Sequence, residues 1–320
     1  MDSYRAPWWL PGPHLQTIAG NLWPQPRIAY ERERWITPDG DFVHVDWAGP
    51  EHAPRLMVVF HGVGGNSRAP YVRALAAEAL ATRCWRVAVP RFRGCSGEPN
   101  QRARSYFSGD HEEVDWMLER FSRRGDNVYP VGVSLGGNSL LKWLCVQGAQ
   151  AQQLISRAAA VSAQFDLEKS GNKLESGFNP VYGWWLLLNC KGLRRKALAK
   201  FDRFRAEHEL RGVQRDRVRT ATTFPAFDDS LVAPLHGFVN KAGYWAQCST
   251  KPLLPRICVP TLLLHARNDP FYPRDALPKR TRLPECVKAD FQIEGGHAAF
   301  PGRRNWLARR VLEFLSRPEN

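Results

Sequence analysis

A serine flanked by glycines carries the strongest chemical signal in the sequence. The segment GVSLG (132–136) follows an apolar run typical of a strand and precedes a helical pattern. A serine on such a sharp strand-to-helix turn lifts its hydroxyl to the edge of the sheet, and small flanking residues tolerate the strained backbone. The following helix N-terminus favours a developing negative charge. We therefore predict that Ser134 is a nucleophile; a simple glycine-rich turn is the alternative interpretation.

A nucleophilic serine needs a base, which is most often a histidine. For a serine on such a turn, the expected chain order is serine, acid, histidine. His297 lies well downstream and directly after a predicted strand, and the two glycines before it would let a loop carry the ring over the sheet edge. We predict that His297 is the base. The competitors are His265, which we interpret as a core histidine, and His236 in a predicted insertion.

The acid that orients the histidine should also follow a strand. Asp269 comes just after the apolar run at 260–266, from which it can reach a histidine on the next loop. Asp166, which follows the strand predicted at 157–163, is the alternative. Asp228 and Asp229 are weaker candidates, expected to cap a helix or to close the site through hydrogen bonds.

An oxyanion formed by attack of the serine needs two backbone N–H donors. Leu135, immediately after the serine, supplies one. The turn HGVGG (61–65) supplies the other, which we assign to Val63, while His61 is expected to anchor the turn. This turn lacks the lysine and the spacing of a phosphate-binding loop.

The elements that must position these residues alternate between strand and helix. Because strands separated by helices form parallel sheets with right-handed crossovers, the pattern predicts a mainly parallel, doubly wound α/β sheet. The predicted strands cover residues 41–47, 55–60, 84–89, 127–133, 157–163, 260–266 and 288–293, and the predicted helices cover 70–82, 109–124, 137–148 and 303–316.

One interval breaks this rhythm. Residues 167–256 contain no convincing strand but include a helix-like stretch at 180–206 with the run WWLLL. We predict a helical cap insertion over the carboxyl edge of the sheet, where ligands of open α/β sheets bind. The core would then comprise residues 41–166 and 257–320, and residues 1–40 would form an N-terminal arm packed on it.

The composition is that of an ordinary globular protein. The 320 residues carry 45 Lys and Arg against 31 Asp and Glu, a formal net charge of +14. The basic residues are spread along the chain without a nucleic-acid motif, so we expect a solvated basic surface and no nucleic-acid partner, with contact to lipid headgroups as a weaker alternative. Seven cysteines without a Cys-x-x-Cys pair indicate reduced thiols and no zinc site.

The amino terminus does not resemble a secretory signal, and the apolar runs are too short to span a membrane. We therefore expect a soluble cytoplasmic protein. Its oligomeric state does not follow from the sequence.

Several segments together resemble the YheT-like family of α/β-hydrolases, which includes bacterial proteins assigned as carboxylesterases and eukaryotic ABHD-type lipid hydrolases. The matching segments are PHLQT (13–17), HGVGGNS (61–67), RFRGCSGEPN (91–100), YFSGD (106–110), GVSLGGN (132–138), FDDSLVAPLHGF (227–238), RNDPF (267–271) and EGGH (294–297). They run in order across nearly the whole chain. The sequence departs modestly from the family in HGVGG and YFSGD, which bears on substrate preference.

The resemblance implies an α/β-hydrolase fold, hydrolysis of short- or medium-chain acyl esters, and no cofactor. By position, it implies that Ser134 is the nucleophile, Asp269 the acid and His297 the base. Acyl transfer or phospholipid hydrolysis with the same residues, and a catalytically silent ligand-binding protein, are the alternative functions. The apolar insertion should favour apolar acyl chains, because each buried methylene contributes about 0.8 kcal/mol. The PHLQT segment is expected to pack an N-terminal arm against the domain.

Overall fold

An eight-stranded sheet forms the centre of the molecule. The computed structural model describes residues 3–125, 127–190, 192–204, 210, 212–302 and 305–317. The strands are β1 (Glu31–Ile36), β2 (Phe42–Ala48), β3 (Arg55–Phe60), β4 (Trp85–Arg91), β5 (Asn127–Val133), β6 (Ala158–Val161), β7 (Thr261–Ala266) and β8 (Val287–Gln292). Their order across the sheet is β1-β2-β4-β3-β5-β6-β7-β8. The β1–β2 and β2–β4 pairs are antiparallel and all other pairs are parallel.

Helices cover both faces of this sheet. The helices are α1 (Gly12–Leu22), α2 (Pro70–Ala81), α3 (His111–Ser122), α4 (Leu135–Gln147), α5 (Leu167–Leu174), α6 (Pro180–Trp184), α7 (Leu193–Phe204), α8 (Arg215–Thr220), α9 (Phe224–Phe227), α10 (Ala233–Leu235), α11 (Lys241–Cys248) and α12 (Trp306–Leu315). Along β3, Leu56 and Val58 join the cluster with α3 and α4, whereas Met57 and Val59 join the cluster with α2 and α12. Both faces of the central strand are therefore buried, which explains its unbroken apolar sequence.

The predicted strands and the parallel sheet are present, with bounds that shift by up to two residues at either end. The main difference lies at the amino terminus, because residues 31–36 of the expected arm form the antiparallel edge strand β1. Their sequence, ERERWI, is dominated by charges, and only Trp35 faces the core. An exposed edge strand needs few apolar residues, so this strand gave no hydrophobic signal.

The interval between β6 and β7 contains helices and no strand within its described residues. The helix-like stretch predicted at 180–206 is not continuous. It divides into α6, a π-helical segment (Trp185–Cys190) and α7, with Gly192 in a left-handed conformation at the break (φ 54°). Residues 191, 205 and 206 of the predicted stretch, and residues 303 and 304 of the predicted last helix, lie outside the described residues.

The turn from β5 into α4 presses closely against the neighbouring strand. A Cβ atom on Gly136 would lie 2.6 Å from the carbonyl carbon of Phe60 and 2.7 Å from the carbonyl oxygen of His61. Both neighbours are backbone atoms and cannot swing away. Glycine is therefore required at this position by the approach of α4 to the end of β3.

Substitution of Gly136 tests this contact. We expect Gly136→Ala to lower the free energy of unfolding by about 3 kcal/mol or more, because the main chain of β3 must move. Gly183→Ala in α6 is the matched control, since its nearest atom would be 3.9 Å away, and it should change stability by less than about 1 kcal/mol. Urea unfolding of both variants measures the difference; equal stabilities would contradict the close approach.

Candidate active site

Ser134 occupies the turn between β5 and α4. Its backbone is left-handed, with φ 56° and ψ −117°, a conformation that costs about 1–3 kcal/mol outside glycine. Two backbone hydrogen bonds hold it there: the Ser134 N–H donates to Val161 O (2.9 Å), and its carbonyl accepts from Asn138 N (3.0 Å). The sheet and the first turn of α4 thus fix the direction of the hydroxyl.

His297 and Asp269 form a hydrogen-bonded chain with this serine. The Nε2 atom of His297 is 2.9 Å from Ser134 Oγ, and its Nδ1 atom is 2.8 Å from Asp269 Oδ2. The order of the three groups is hydroxyl, imidazole, carboxylate. A donor at Nδ1 toward the carboxylate leaves Nε2 free to accept the hydroxyl proton.

Asp269 is buried and remains ionised. Burial alone would raise the pKa of its carboxyl, but the imidazole of His297 and hydrogen bonds from His265 and His297 bring that pKa well below its usual value. The other carboxylate oxygen, Oδ1, accepts from Phe271 N (2.8 Å). A fixed negative charge therefore lies beside the Nδ1 atom of His297.

The competing candidates make other contacts. Asp166 caps α5, where its side chain accepts from Lys169 N. His265 is fully buried, and its Nε2 atom lies 3.3 Å from Asp269 Oδ2, the oxygen that also contacts His297. His236 bridges the insertion to the core, with Nδ1 2.8 Å from Val232 O and Nε2 2.8 Å from Ser105 O.

The two aspartates of the insertion make local contacts. Asp229 accepts from Lys241 N (3.0 Å) and from the Arg217 guanidinium (2.7 Å). Asp228 accepts from Trp245 Nε1 (2.9 Å) and lines the cavity above the serine. Burial raises the pKa of Asp228 to about 7.

The turn 61–65 lies against Ser134. A Cβ atom on Gly62 would be 3.2 Å from the Ser134 Cβ. Two tyrosine hydroxyls accept hydrogen bonds from neighbouring amides. Tyr71 accepts from Gly62 N (2.9 Å), and Tyr106 accepts from Gly64 N (2.6 Å). The Gly65 N–H donates to Gly62 O.

Within the described residues, the Val63 N–H of this turn has no hydrogen-bond acceptor. Val63 and Leu135 both line the cavity beside Ser134. The Leu135 amide is the first of α4, where N–H groups lack an intrahelical partner. His61 is buried, and its Nε2 atom accepts from Phe92 N (3.2 Å), so the turn is tied to the chain that follows β4.

The loop that carries His297 is held by side chains from three distant segments. Four consecutive N–H groups donate to side-chain oxygens. The pairs are Gly295 to Gln16 Oε1 (2.9 Å), Gly296 to Asn268 Oδ1 (3.0 Å), His297 to Thr17 Oγ1 (2.9 Å) and Ala298 to Ser162 Oγ (3.0 Å). Gly296 is left-handed (φ 64°), and a Cβ there would lie 2.7 Å from Thr17 N.

Gln16 and Thr17 belong to PHLQT, the segment that we expect to pack an N-terminal arm against the domain. Both side chains are buried on α1. Gln16 also accepts from Asn268 Nδ2 (2.9 Å), beside Asp269, and so links the loops that follow β7 and β8. Gln16 and Thr17 are the two buried residues of α1, and buried polar groups generally have partners.

A large cavity opens above Ser134. Its volume is about 640 Å³, and its wall combines core loops, α1 and the helices between β6 and β7. Apolar residues dominate the wall; examples are Ile18, Leu22, Leu167, Leu174, Phe178, Val181, Trp185, Leu186, Leu193, Phe224, Phe227, Leu231, Val232 and Leu235. The space suits a ligand with an extended apolar portion next to the hydroxyl.

Known proteins show similarity over almost the whole chain. A family profile described as "alpha/beta hydrolase fold" matches residues 55–302. The Escherichia coli K-12 protein named "Putative esterase YheT" is 37% identical over 317 residues, covering 95% of this chain and 90% of that protein. Human "Phospholipase ABHD3" is 24% identical over 313 residues, covering 91% and 73%.

Among solved structures, naproxen esterase (carboxylesterase NP) from Bacillus subtilis superposes with a TM-score of 0.55 at 18% identity, covering 93% of this chain and 94% of that one. At this identity the likeness concerns the fold. Together with the sheet order, these similarities confirm the predicted α/β-hydrolase fold and the resemblance to the YheT-like family.

The raised pKa of Asp228 predicts a pH-dependent stability. The folded protein holds a proton that the unfolded chain releases near pH 4, so this group lowers stability as pH rises from about 4 to 7. We expect Asp228→Asn to raise the free energy of unfolding by about 1–3 kcal/mol at pH 8 and by little at pH 4.

Asp229→Asn is the matched control for this prediction. Its amide and guanidinium donors lower the pKa of Asp229, so its substitution should reduce stability at pH 8. Urea unfolding at pH 4 and pH 8 measures both variants. The prediction for Asp228 fails if the two variants shift stability in the same direction at pH 8.

Proposed function

Since the chain belongs to the α/β-hydrolase family, in the branch that contains YheT, we propose that it is a serine hydrolase of carboxylic esters acting through Ser134, His297 and Asp269. The observation that carries the proposal is the continuous hydrogen-bonded chain from Ser134 Oγ through His297 to Asp269. This is the arrangement in which a serine can lose its proton to an oriented imidazole.

In the first half of the reaction, Ser134 Oγ attacks the ester carbonyl while His297 Nε2 takes the hydroxyl proton. The ionised carboxylate of Asp269 stabilises the imidazolium. The negative charge that develops on the carbonyl oxygen is stabilised by the N–H groups of Val63 and Leu135. Within the described residues, the Val63 N–H has no acceptor, whereas the N–H groups of Gly62 and Gly64 on either side donate to tyrosine hydroxyls. This difference supports the assignment of Val63.

In the second half, His297 returns its proton to the departing alcohol, and the acyl group stays on Ser134. A water molecule then attacks the acyl carbon as His297 removes a proton from it. Collapse of the second intermediate frees the carboxylic acid and restores the hydroxyl. No cofactor enters either half of this proposal.

The substrate class follows from the cavity wall. An apolar acyl chain of short or medium length next to Ser134 would bury methylene groups against the aromatic and aliphatic residues of α5, α6 and α7, each contributing about 0.8 kcal/mol. In this view residues 167–256 act as a cap over a core of residues 41–166 and 257–320. Transfer of the acyl group to another alcohol, or cleavage of phospholipid esters as in the name of the human relative, would use the same acyl-enzyme.

Removal of the hydroxyl tests the nucleophile. We expect Ser134→Ala to lower kcat/KM for p-nitrophenyl acyl esters by about 10⁴-fold, since the acyl-enzyme can no longer form. A fluorophosphonate probe should label the wild-type protein and leave this variant unlabelled. Ser176→Ala is the control, because Ser176 is exposed and its hydroxyl donates to Lys173 O in the same segment.

Retained hydrolysis or labelling in Ser134→Ala would refute the nucleophile. Absence of labelling in the wild-type protein would favour a silent ligand-binding role. Inclusion of a competing alcohol, followed by analysis of the products, distinguishes hydrolysis from acyl transfer.

Thr17 provides a separate test, because it acts through the backbone of His297. Thr17→Val removes the acceptor of a largely buried N–H, and Thr17→Ser keeps it. We expect the valine variant to lose about tenfold in kcat, with a smaller change in KM, and the serine variant to recover most of it. A merely structural role would lower the thermal stability of the valine variant and leave kcat at low temperature unchanged.

A further inference from the structure

Large apolar side chains are exposed in two segments of the chain that contact each other. Trp8 is 91% exposed in the turn before α1, Leu22 is 76% exposed at the end of α1, and Trp184 is 50% exposed at the end of α6. We define the apolar rim as the exposed residues of these two neighbouring segments: Trp8, Trp9, Leu15, Ile18, Leu22, Phe178, Val181, Trp184 and Trp185.

The spacing within α1 places three of these side chains on one face. Leu15, Ile18 and Leu22 follow one another at intervals of three and four residues, and residues so spaced share one side of a helix. In the second segment, Phe178 lies in the turn before α6, Val181 lies within α6, and Trp185 begins the π-helical segment after it. Each segment thus presents apolar side chains that the fold itself leaves uncovered.

The two segments touch each other through His14. The His14 Nδ1 atom lies 3.2 Å from the Tyr182 hydroxyl, and the His14 ring centroid is 4.9 Å from that of Phe178. The beginning of α1 and the beginning of α6 therefore lie side by side.

The apolar rim borders the cavity. Ile18, Leu22, Phe178, Val181 and Trp185 are exposed to solvent and also line the cavity wall. A residue that does both lies at the mouth. These five rim residues therefore border the opening through which a substrate would reach Ser134.

The charge of the chain favours a negatively charged partner. Its net charge is +14, and α7, which follows the rim segment closely, carries the exposed residues Arg195, Lys196 and Arg203. Lys196 itself lines the cavity. Indole rings next to basic side chains are the combination that binds at the headgroup level of an anionic bilayer.

We propose that the apolar rim docks the protein onto anionic phospholipid bilayers, so that the cavity opens toward the membrane and receives ester substrates from it. The substrate part of this inference rests on the proposed hydrolase function, whereas the docking part does not. Within the described residues, no helix is long and apolar enough to cross a bilayer, so the contact is interfacial.

Vesicle flotation with the Ser134→Ala protein tests docking without turnover. We expect this protein to float with phosphatidylcholine vesicles containing about 30% phosphatidylglycerol and to float less with pure phosphatidylcholine. Adding Trp8→Ser and Trp184→Ser should lower the partition coefficient by about tenfold, because two indole rings no longer insert. Neither tryptophan lines the cavity.

The control adds Val239→Ser and Ile293→Ser to the same parent. These side chains are 95% and 77% exposed and lie away from the cavity wall, so their loss should leave flotation unchanged. Near-ultraviolet circular dichroism and thermal unfolding check that both double variants keep the fold.

Docking would be overturned if the Ser134→Ala parent did not float with anionic vesicles, or if the tryptophan variant and the control floated equally. It would also be overturned if the tryptophan variant lost self-association while its flotation was unchanged. That last result would assign the rim to contact with a second copy of the chain. The proposed hydrolysis is tested separately. A wild-type protein that cleaves a soluble ester but does not float refutes docking alone, and one that floats but cleaves no ester refutes hydrolysis alone.

Discussion

The backbone of the His297 loop depends on side-chain oxygens rather than on regular secondary structure. Four consecutive amides, 295–298, donate to Gln16, Asn268, Thr17 and Ser162. A buried N–H without an acceptor costs about 1–3 kcal/mol, so this set strongly favours one loop conformation. The distance between His297 and Ser134 depends on it, because the imidazole is anchored by this loop and by the Asp269 carboxylate.

The cavity shifts its own titratable groups toward neutrality. Burial raises the pKa of Asp228 to about 7, and burial lowers the pKa of His236 to about 4 and that of Lys200 to about 8. All three line the same space. Loss of hydration beside apolar walls disfavours the charged form of each group, so it raises the pKa of the acid and lowers the pKa of the two bases. Near neutral pH, Asp228 is therefore partly protonated and His236 is neutral, whereas Lys200, with a pKa of about 8, stays largely protonated.

Sequence reasoning recovered what local patterns encode. The buried strands are continuous apolar runs, and the serine turn has its own glycine signature, so the parallel sheet and the position of Ser134 between a strand and a helix could be predicted. Chain order and the ends of the strands then pointed to Asp269 and His297. The edge strand at Glu31–Ile36 escaped detection because its residues face solvent, and the break within 180–206 escaped because a helical period continues across it. Gln16 and Thr17 could not be assigned, since their partners lie about 280 positions away.

That separation has a consequence for biosynthesis. The first helix leaves the ribosome long before the loop it supports has been translated, and closing so long a segment of chain is entropically costly and slow. Throughout that interval Gln16 and Thr17 lack the amides of Gly295 and His297, which donate to them in the folded protein. The His297 loop can therefore reach its supporting side chains on α1 only after residues 295–298 have been translated.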